Sequence, residues 1–317
     1  MLIRILGAES LGVRGLCCVV ETEERKIVVD PGVALGYRRH GLLPHPFQIA
    51  VGEKVRESII KELKNSTDIV ISHFHGDHVP LVDANPYQLD AKKVSDSFAK
   101  PFLWCKGEKE ISHAMRIRRK QLSDMLGRSF PDAEGKSNSL FRFSKAVYHG
   151  EPDSRRGKVM MTRIEDNKVF VHASDIQLMH SRAVSQILDW KPDIVLVSGP
   201  PLYLKQMSNE KKEKALTEAV RLSKEVGVLI LDHHLLRSNE GCALLKKIES
   251  ESGNKVMCAA EFMGKRPLLL EAKRRLLYRE MPVPDGWHKE YARNRVDTSE
   301  YRVWRGYKVD QNEKNVN

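Results

Sequence analysis

The segment His73-Phe74-His75-Gly76-Asp77-His78 constrains this chain more than any other part of its sequence. It brings three imidazoles and one carboxylate together directly after the apolar run 68–72, which predicts a buried strand. Polar groups beside a buried strand are costly to remove from water unless something binds them. The segment therefore predicts a loop that folds around a ligand rather than a solvated turn.

The spacing inside this segment favours two metal ions. Two histidines separated by one residue on extended backbone point the same way, because side chains alternate with a period of two. Asp77 and His78 follow Gly76, so they belong to the next turn and can reach a second ion. Zinc binds imidazole nitrogen and carboxylate oxygen, and its catalytic sites leave one position for water. Manganese and iron accept the same ligands.

Three further polar residues follow predicted strands: His149, Asp175 and His233. Loops at strand ends are where a fold gathers functional side chains from distant parts of the chain. We expect these residues to join the 73–78 segment. Asp175 is the natural bridging carboxylate, because two neighbouring ions can share one.

Hydrophobic periodicity predicts strands first, and then helices and strands in alternation. The predicted strands are 1–7, 16–20, 26–30, 68–72, 141–148, 159–164, 168–173, 193–198, 226–231 and 255–260. The predicted helices are 53–64, 107–128, 178–190, 209–225, 239–250 and 268–278, and 36–47 is predicted as a long loop. This order indicates a layered α/β architecture with two sheets covered by helices.

Composition limits the class of protein. The chain has 317 residues, 41% of them hydrophobic, and a net charge of +11. No apolar run approaches the roughly 20 residues that a membrane helix needs, so we expect no membrane partner. The positive charge favours an anionic small molecule or a nucleic acid as substrate, although a solvated basic surface explains it equally well. The oligomeric state is not determined by these features.

The five cysteines, Cys17, Cys18, Cys105, Cys242 and Cys258, are scattered and odd in number. None lies in a C-x-x-C pair, which favours reduced thiols over a disulfide framework. A cytoplasmic location is therefore expected.

The 73–78 segment matches the HxHxDH signature of the metallo-β-lactamase fold superfamily. Asp30 resembles the first motif of that superfamily, His149 the third, Asp175 the fourth and His233 the fifth. The Val29-Asp30-Pro31-Gly32 segment and the loop after it resemble an archaeal branch of predicted metal-dependent hydrolases. The resemblance extends from residue 1 to about residue 262. It implies a four-layer αββα sandwich, and we expect a single metallo-hydrolase domain over 1–309 and a polar tail over 310–317.

The resemblance also implies how the ligands divide. One ion would be held by His73, His75 and His149, and the other by Asp77, His78 and His233, with Asp175 between them. Asp30 would accept a hydrogen bond from a ligand imidazole and hold its tautomer. The fifth motif contains two neighbouring histidines, His233 and His234. His233 is favoured because Arg237 then follows four residues later, as in nucleolytic relatives.

These features lead to three hypotheses. The first is a dinuclear hydrolase that attacks a phosphodiester or nucleic acid with a metal-bridging hydroxide, with Asp77 or Asp175 relaying the proton. The second is a hydrolase of small anionic lactones or thioesters, which the same ligands would serve. The third is a non-catalytic, metal-stabilised binding protein. Candidate substrate contacts are Arg237, His234 and His45.

Overall fold

The computed structural model describes residues 1–152 and 155–309. The strands are β1 (Leu2–Gly7), β2 (Cys17–Glu21), β3 (Lys26–Val29), β4 (Asp68–Ile71), β5 (Phe102–Cys105), β6 (Phe141–Phe143), β7 (Val147–Tyr148), β8 (Lys158–Val159), β9 (Thr162–Glu165), β10 (Val169–His172), β11 (Ile194–Val197), β12 (Val228–Leu231), β13 (Val256–Met257), β14 (Val303–Trp304) and β15 (Tyr307–Lys308). The helices are α1 (Pro46–Leu63), α2 (His113–Leu126), α3 (Ser181–Asp189), α4 (Asn209–Glu225), α5 (Glu240–Ser252), α6 (Ala259–Phe262), α7 (Arg274–Glu280) and α8 (Trp287–Ala292). The tail predicted over 310–317 lies outside the described residues, and the single domain over 1–309 stays a prediction.

Two large sheets form the centre of the fold. The first has the strand order β1-β2-β3-β4-β5, and the second has the order β13-β12-β11-β10-β9-β6. Strands β3, β4 and β5 are parallel to one another, as are β10 to β13. Because the carboxyl ends of parallel strands meet at the same edge of a sheet, loops from distant parts of the chain meet there.

Alternating side chains on the strands explain the four layers. In β3 and β4, Ile27 and Val70 face the second sheet, whereas Val28 and Ile69 pack into a core that includes residues of α1. The second sheet repeats this pattern, with Phe170, Leu196 and Ile230 between the sheets and Val171, Val197 and Leu229 facing α3, α4 and α5. Strands buried on both faces are continuously apolar, as the sequence shows. The predicted αββα sandwich is confirmed.

Helix α1 begins at Pro46, seven residues before the predicted start at 53. The side chain of His45 accepts a hydrogen bond from the Phe47 amide, and Pro46 occupies the first turn, where its missing N–H costs nothing. The proline-rich composition of this stretch therefore marks a helix start, whereas the sequence analysis assigned it to a loop. His45 becomes a helix cap.

Other boundaries differ where short strands interrupt the pattern. The strand predicted over 141–148 is two strands, since β6 joins the second sheet and β7 pairs with β8. Strand β5 was not predicted, although it completes the first sheet beside β4. The helix predicted over 268–278 corresponds to α7, and α8 and the β14–β15 hairpin follow it. The chain after α7 packs on the outer core of the first sheet through Trp287, Tyr301 and Trp304.

The five cysteines are all free thiols. Burial raises the pKa of the Cys17 and Cys18 thiols well above the ordinary value, so both are protonated and behave as small apolar residues. Among the helices of the described residues, none combines the length and apolar character needed to cross a bilayer.

Candidate metal centre

The predicted ligands converge on one end of the two sheets. His73 and His75 follow β4, His149 follows β7, Asp175 follows β10 and His233 follows β12. Within 1–152 and 155–309, these residues and their neighbours form overlapping groups whose donor atoms lie within 4.8 Å of one another. The groups are His73–His75–His149–Asp175, Asp30–His73–His78, Asp77–His78–His233 and Asp175–His233–His234.

The first group has the geometry of a three-histidine site closed by a carboxylate. His73 Nε2 lies 3.0 Å from His75 Nδ1, so two ring nitrogens face one point. Asp175 Oδ2 lies 3.0 Å from His149 Nε2 and 3.7 Å from His73 Nε2. Two nitrogens this close need a shared proton or a shared cation between them, because their lone pairs otherwise repel each other.

The second ligand group is Asp77–His78–His233, and two of its histidines lie near the same oxygen of Asp175. His233 Nε2 lies 3.4 Å from Asp77 Oδ2 and 3.7 Å from Asp175 Oδ2. His78 Nε2 lies 3.4 Å from Asp175 Oδ2. Asp175 is thus in contact with members of both groups, the position that the sequence analysis assigned to a bridging carboxylate.

Asp30 orients His78, a member of the second ligand group, through a hydrogen bond on the side of the ring away from Asp175. It is fully buried, and its carboxylate accepts hydrogen bonds from the Ser72 amide at 2.8 Å and the Ser72 hydroxyl at 2.5 Å. Its Oδ2 also lies 2.8 Å from His78 Nδ1. A proton on Nδ1 donates to Asp30 and leaves the Nε2 lone pair of His78 facing Asp175.

Two serines that the sequence analysis missed surround the other nitrogen of His73. The Ser72 hydroxyl lies 3.0 Å and the Ser174 hydroxyl 3.3 Å from His73 Nδ1, and the two hydroxyls are 2.6 Å apart. These contacts orient the ring so that Nε2 faces the centre. The only sequence signal was position, because each serine directly precedes a candidate ligand.

The backbone around the centre is strained. Asp30, Ser174 and His233 adopt positive φ angles of 49°, 56° and 43°, which non-glycine residues rarely do. Gly32 is also constrained, because an added Cβ would lie 2.1 Å from the Val79 amide nitrogen. Such strain clusters at functional sites, where the surrounding structure maintains it.

The charge states of two histidines and two carboxylates in the centre suit metal binding. Burial lowers the pKa of His73 well below its ordinary value and that of His75 to about 3, and neighbouring histidines add to both effects. Burial raises the pKa of the Asp77 and Asp175 carboxyls, but nearby imidazoles outweigh it and hold both pKa values well below the ordinary range. Neutral imidazoles and ionised carboxylates are the forms that bind divalent metals.

Two buried atoms support the same interpretation. His78 Nε2 and Asp175 Oδ1 have no hydrogen-bond partner among the described residues, although both are shielded from solvent. Burial lowers the pKa of His78, but the carboxylates of Asp175 and Asp30 outweigh it and raise the pKa well above its ordinary value. The centre therefore attracts positive charge at this nitrogen. The donor set of imidazole nitrogens and carboxylate oxygens fits divalent metal ions.

Both histidines of the fifth motif reach the centre. His233 contacts Asp77. Its Nδ1 accepts a hydrogen bond from the Gly15 amide at 3.1 Å, and its Nε2 lies 2.8 Å from Arg237 Nη2. Coordination through Nε2 therefore requires Arg237 to withdraw. His234 Nε2 lies 3.2 Å from Asp175 Oδ2, and its Nδ1 has no partner among the described residues. Both stay candidates for the fifth ligand.

The other two candidate substrate contacts differ in placement. Arg237 lies in the centre but is 5% exposed, and its guanidinium contacts Glu9 at 3.1 Å, Tyr203 at 3.3 Å and Asp77 at 3.4 Å. Its contact with substrate stays a prediction. For His45 the prediction is wrong: the residue is fully buried, and its two ring nitrogens contact the Phe47 amide and the Met281 carbonyl. Both ring nitrogens of His45 are therefore engaged within the protein, one of them in capping α1.

The chain is similar to archaeal proteins over nearly its whole length. A UPF0282 protein from Methanosarcina mazei is 52% identical over 302 residues, covering 95% of this chain and 99% of that protein. UPF0282 proteins from Methanopyrus kandleri and Pyrococcus horikoshii are 36% and 32% identical, covering 85% and 90% of this chain and 96% of each relative.

The family model described as the metallo-beta-lactamase superfamily matches residues 12–93, which include Asp30 and the 73–78 segment. Among solved structures, the isothiocyanate hydrolase from Delia radicum gut bacteria has a similar fold, with a TM-score of 0.50 and 14% identity. The match covers 81% of this chain and 95% of that structure. The chain thus belongs to the UPF0282 family, and its residues 12–93 match the metallo-beta-lactamase superfamily model.

Proposed function

We propose that this protein hydrolyses phosphodiesters with two divalent metal ions, and that both ions are zinc. One observation carries the proposal: Asp175 Oδ2 lies between 3.0 and 3.7 Å from histidine nitrogens of both ligand groups. A carboxylate in that position suits a pair of ions, and paired ions stabilise the attacking and leaving oxygens of a phosphoryl displacement. The net charge of +11 supports an anionic substrate, either a small molecule or a nucleic acid.

The residues would divide the work as follows. His73, His75 and His149 would hold one ion, and Asp77, His78 and either His233 or His234 would hold the other, with Asp175 available to both. Bound ions lower the pKa of a water ligand towards about 7 and stabilise charge on the attacked oxygen.

Residues around the ligands keep them in place. Asp30, Ser72 and Ser174 maintain the ring orientations through the hydrogen bonds to Nδ1 described above. Asp77 and Asp175 are the ionised carboxylates that can accept the proton of the attacking water. Arg237, which contacts Asp77, adds a positive charge near developing negative charge.

The second candidate is hydrolysis of small anionic lactones or thioesters. The ligand set serves attack on a carbonyl equally well. The similar fold of the isothiocyanate hydrolase supports this candidate, because that enzyme acts at an electrophilic carbon of a small molecule.

Substrate turnover separates the candidates. The zinc-loaded protein is assayed on bis(p-nitrophenyl) phosphate, lactones and glutathione thioesters, with Asp175→Asn as the inactive variant. Chelator-sensitive release of p-nitrophenol is expected. Turnover of carbonyl substrates alone would refute the phosphodiesterase, and no turnover of any ester by a folded, metal-loaded protein would favour the metal-stabilised binding protein.

Elemental analysis of protein purified without added metal tests the cofactor. Two zinc ions per chain are expected, and manganese or iron in excess of zinc would overturn that choice. A cytoplasmic location is part of the proposal, since five unpaired thiols suit a reducing compartment. Cell fractionation would check it.

A further inference from the structure

A small cavity opens beside the metal centre. Its volume is about 220 Å³, and the residues that line it include His149, Gln177, Gln206, Met179, Leu204 and Met207. His149 Nε2 lies 3.0 Å from Asp175 Oδ2, and His149 is also one of the residues that line the cavity. A group held in this cavity would therefore lie next to the reacting atoms.

Gln177, one of the lining residues, contributes a buried carboxamide. The residue is 5% exposed, and its Nε2 is shielded from solvent without a hydrogen-bond partner among the described residues. Leaving a buried amide unpaired is costly, which implies a partner that binds there.

The backbone makes room for this amide. Gly150, directly after His149, has a φ of +91°, and an added Cβ would lie 2.5 Å from Gln177 Oε1. Any side chain at position 150 would displace the carboxamide. The loop beside His149 is thus shaped around Gln177.

The rest of the wall combines apolar side chains with the charged residues Glu151, Arg156 and Lys211. Met179, Leu204 and Met207 are buried or half-buried and supply thioether and alkyl surface. Methionine makes favourable contacts with the edges and faces of flat rings. A wall that combines thioether and alkyl surface with carboxamides and charged groups suits a planar group that has apolar faces and a polar edge.

The size of the cavity limits what enters it. Complete small-molecule pockets occupy about 300–1,000 Å³, so a cavity of about 220 Å³ holds one substituent rather than a whole substrate. Nucleobases have the required shape, and glutamine reads their edges because its carboxamide offers a donor and an acceptor in one plane. Enzymes that hold a single base use this combination of edge hydrogen bonds and apolar faces.

We propose that this cavity binds one nucleobase of the substrate, with Gln177 hydrogen-bonded to the base edge and Met179 and Met207 against its faces. This proposal rests on the phosphodiesterase function, and it narrows the substrate to a nucleotide ester whose phosphorus lies at the metal centre. Gln177 is then a specificity-determining residue.

Binding without turnover tests the proposal. Isothermal titration calorimetry on the zinc-loaded protein compares AMP, GMP, CMP and UMP with ribose 5-phosphate, which lacks only the base. At least one nucleotide is expected to bind about tenfold more tightly than ribose 5-phosphate, equivalent to about 1.4 kcal/mol. Equal affinities for all five compounds would overturn the proposal.

Variants assign the difference to the cavity. Gln177→Met, which keeps the length of the side chain, should abolish the preference for the base and leave the affinity for ribose 5-phosphate unchanged. Met207→Ala should reduce the preference several-fold. The matched control is Gln121→Met on α2, where the glutamine contacts Asp83 outside the cavity, and it should behave as wild type. An undiminished preference in both cavity variants would refute the assignment.

The outcomes separate this proposal from the function on which it rests. Base-selective binding without hydrolysis of bis(p-nitrophenyl) phosphate would refute the phosphodiesterase and leave the cavity assignment standing. Hydrolysis of that compound with no base selectivity would retain the phosphodiesterase and remove the nucleobase site.

Discussion

Replacing Asp30 with asparagine tests whether the Asp30 carboxylate keeps His78 in the orientation and tautomer that metal binding requires. Asp30 Oδ2 contacts both the Ser72 hydroxyl and His78 Nδ1, while Oδ1 accepts the Ser72 amide. A carboxamide has only one accepting oxygen, so at least one of these donors loses its partner. If the new NH₂ donates to His78 Nδ1, the proton moves to Nε2, and the nitrogen that faces Asp175 can no longer bind a metal.

The magnitude follows from the hydrogen bonds that are lost. Loss of a partner of a ligand histidine typically lowers metal affinity by about 10–100-fold. That factor corresponds to about 1.4–2.8 kcal/mol. Loss of a hydrogen bond to a buried charge should also lower the free energy of unfolding of the metal-free protein by about 1.5–3 kcal/mol.

Asp68→Asn is the matched control. Asp68 is also fully buried, and because it begins β4 it lies at the end of that strand away from Ser72. There it contacts Arg25 and accepts a hydrogen bond from Trp104 Nε1. Its substitution should destabilise the fold to a similar extent without changing metal affinity.

Competition with a chromophoric chelator measures zinc affinity, and urea unfolding of the metal-free protein measures stability. Wild-type zinc affinity in Asp30→Asn, or an equal loss of affinity in Asp68→Asn, would refute the reasoning.

Three further predictions use the same assays. His233→Ala and His234→Ala should differ in metal content. By elemental analysis, the variant that removes the fifth ligand should retain one zinc per chain and the other should retain two. Two ions in both variants would exclude both residues as ligands. His45→Ala should lower the free energy of unfolding by about 0.5–2 kcal/mol through loss of the α1 cap, with hydrolysis unchanged, and lost activity in a folded variant would restore His45 to the site. Burial raises the pKa of Glu271, but the Arg14 guanidinium outweighs it and lowers the pKa to about 2, so its stabilisation is complete above about pH 4.3 and is lost as the pH falls towards 2. Urea unfolding across this range should show a smaller acid loss for Glu271→Gln, and an unchanged loss would contradict the assignment.

Much of the fold could be predicted because layered sheets impose a local pattern. Runs such as 69–71 and 194–197 are apolar at every position, which marks strands covered on both faces. Helix α4 matches its predicted bounds of 209–225, since its amphipathic pattern and the Ser208 cap are both local. Strand β5 and the β7–β8 pair were missed or merged because strands of two to four residues carry too little periodicity.

The candidate site divides in the same way. Residue type and position after a strand were sufficient to nominate His73, Asp77 and Asp175, because metals demand particular donor atoms. The serines that orient His73 carry no comparable signal, since a buried serine is common and its partner lies far away in the chain. The misassignment of His45 has the same origin, because an exposed loop and a helix start share proline-rich composition.

The sequence by itself determined which side chains are able to bind metal and that they stand at strand ends in a layered α/β chain, because side-chain chemistry and periodicity are local properties. Only the tertiary structure decided that Asp175 contacts both ligand groups, that Arg237 contacts Glu9 and Asp77, and that Gln177 lines a cavity beside His149. Contacts in the centre join residues up to 228 positions apart, as between Glu9 and Arg237, and depend on how two sheets pack and which strands lie side by side. No local pattern records such distances, because they result from burial of the whole core.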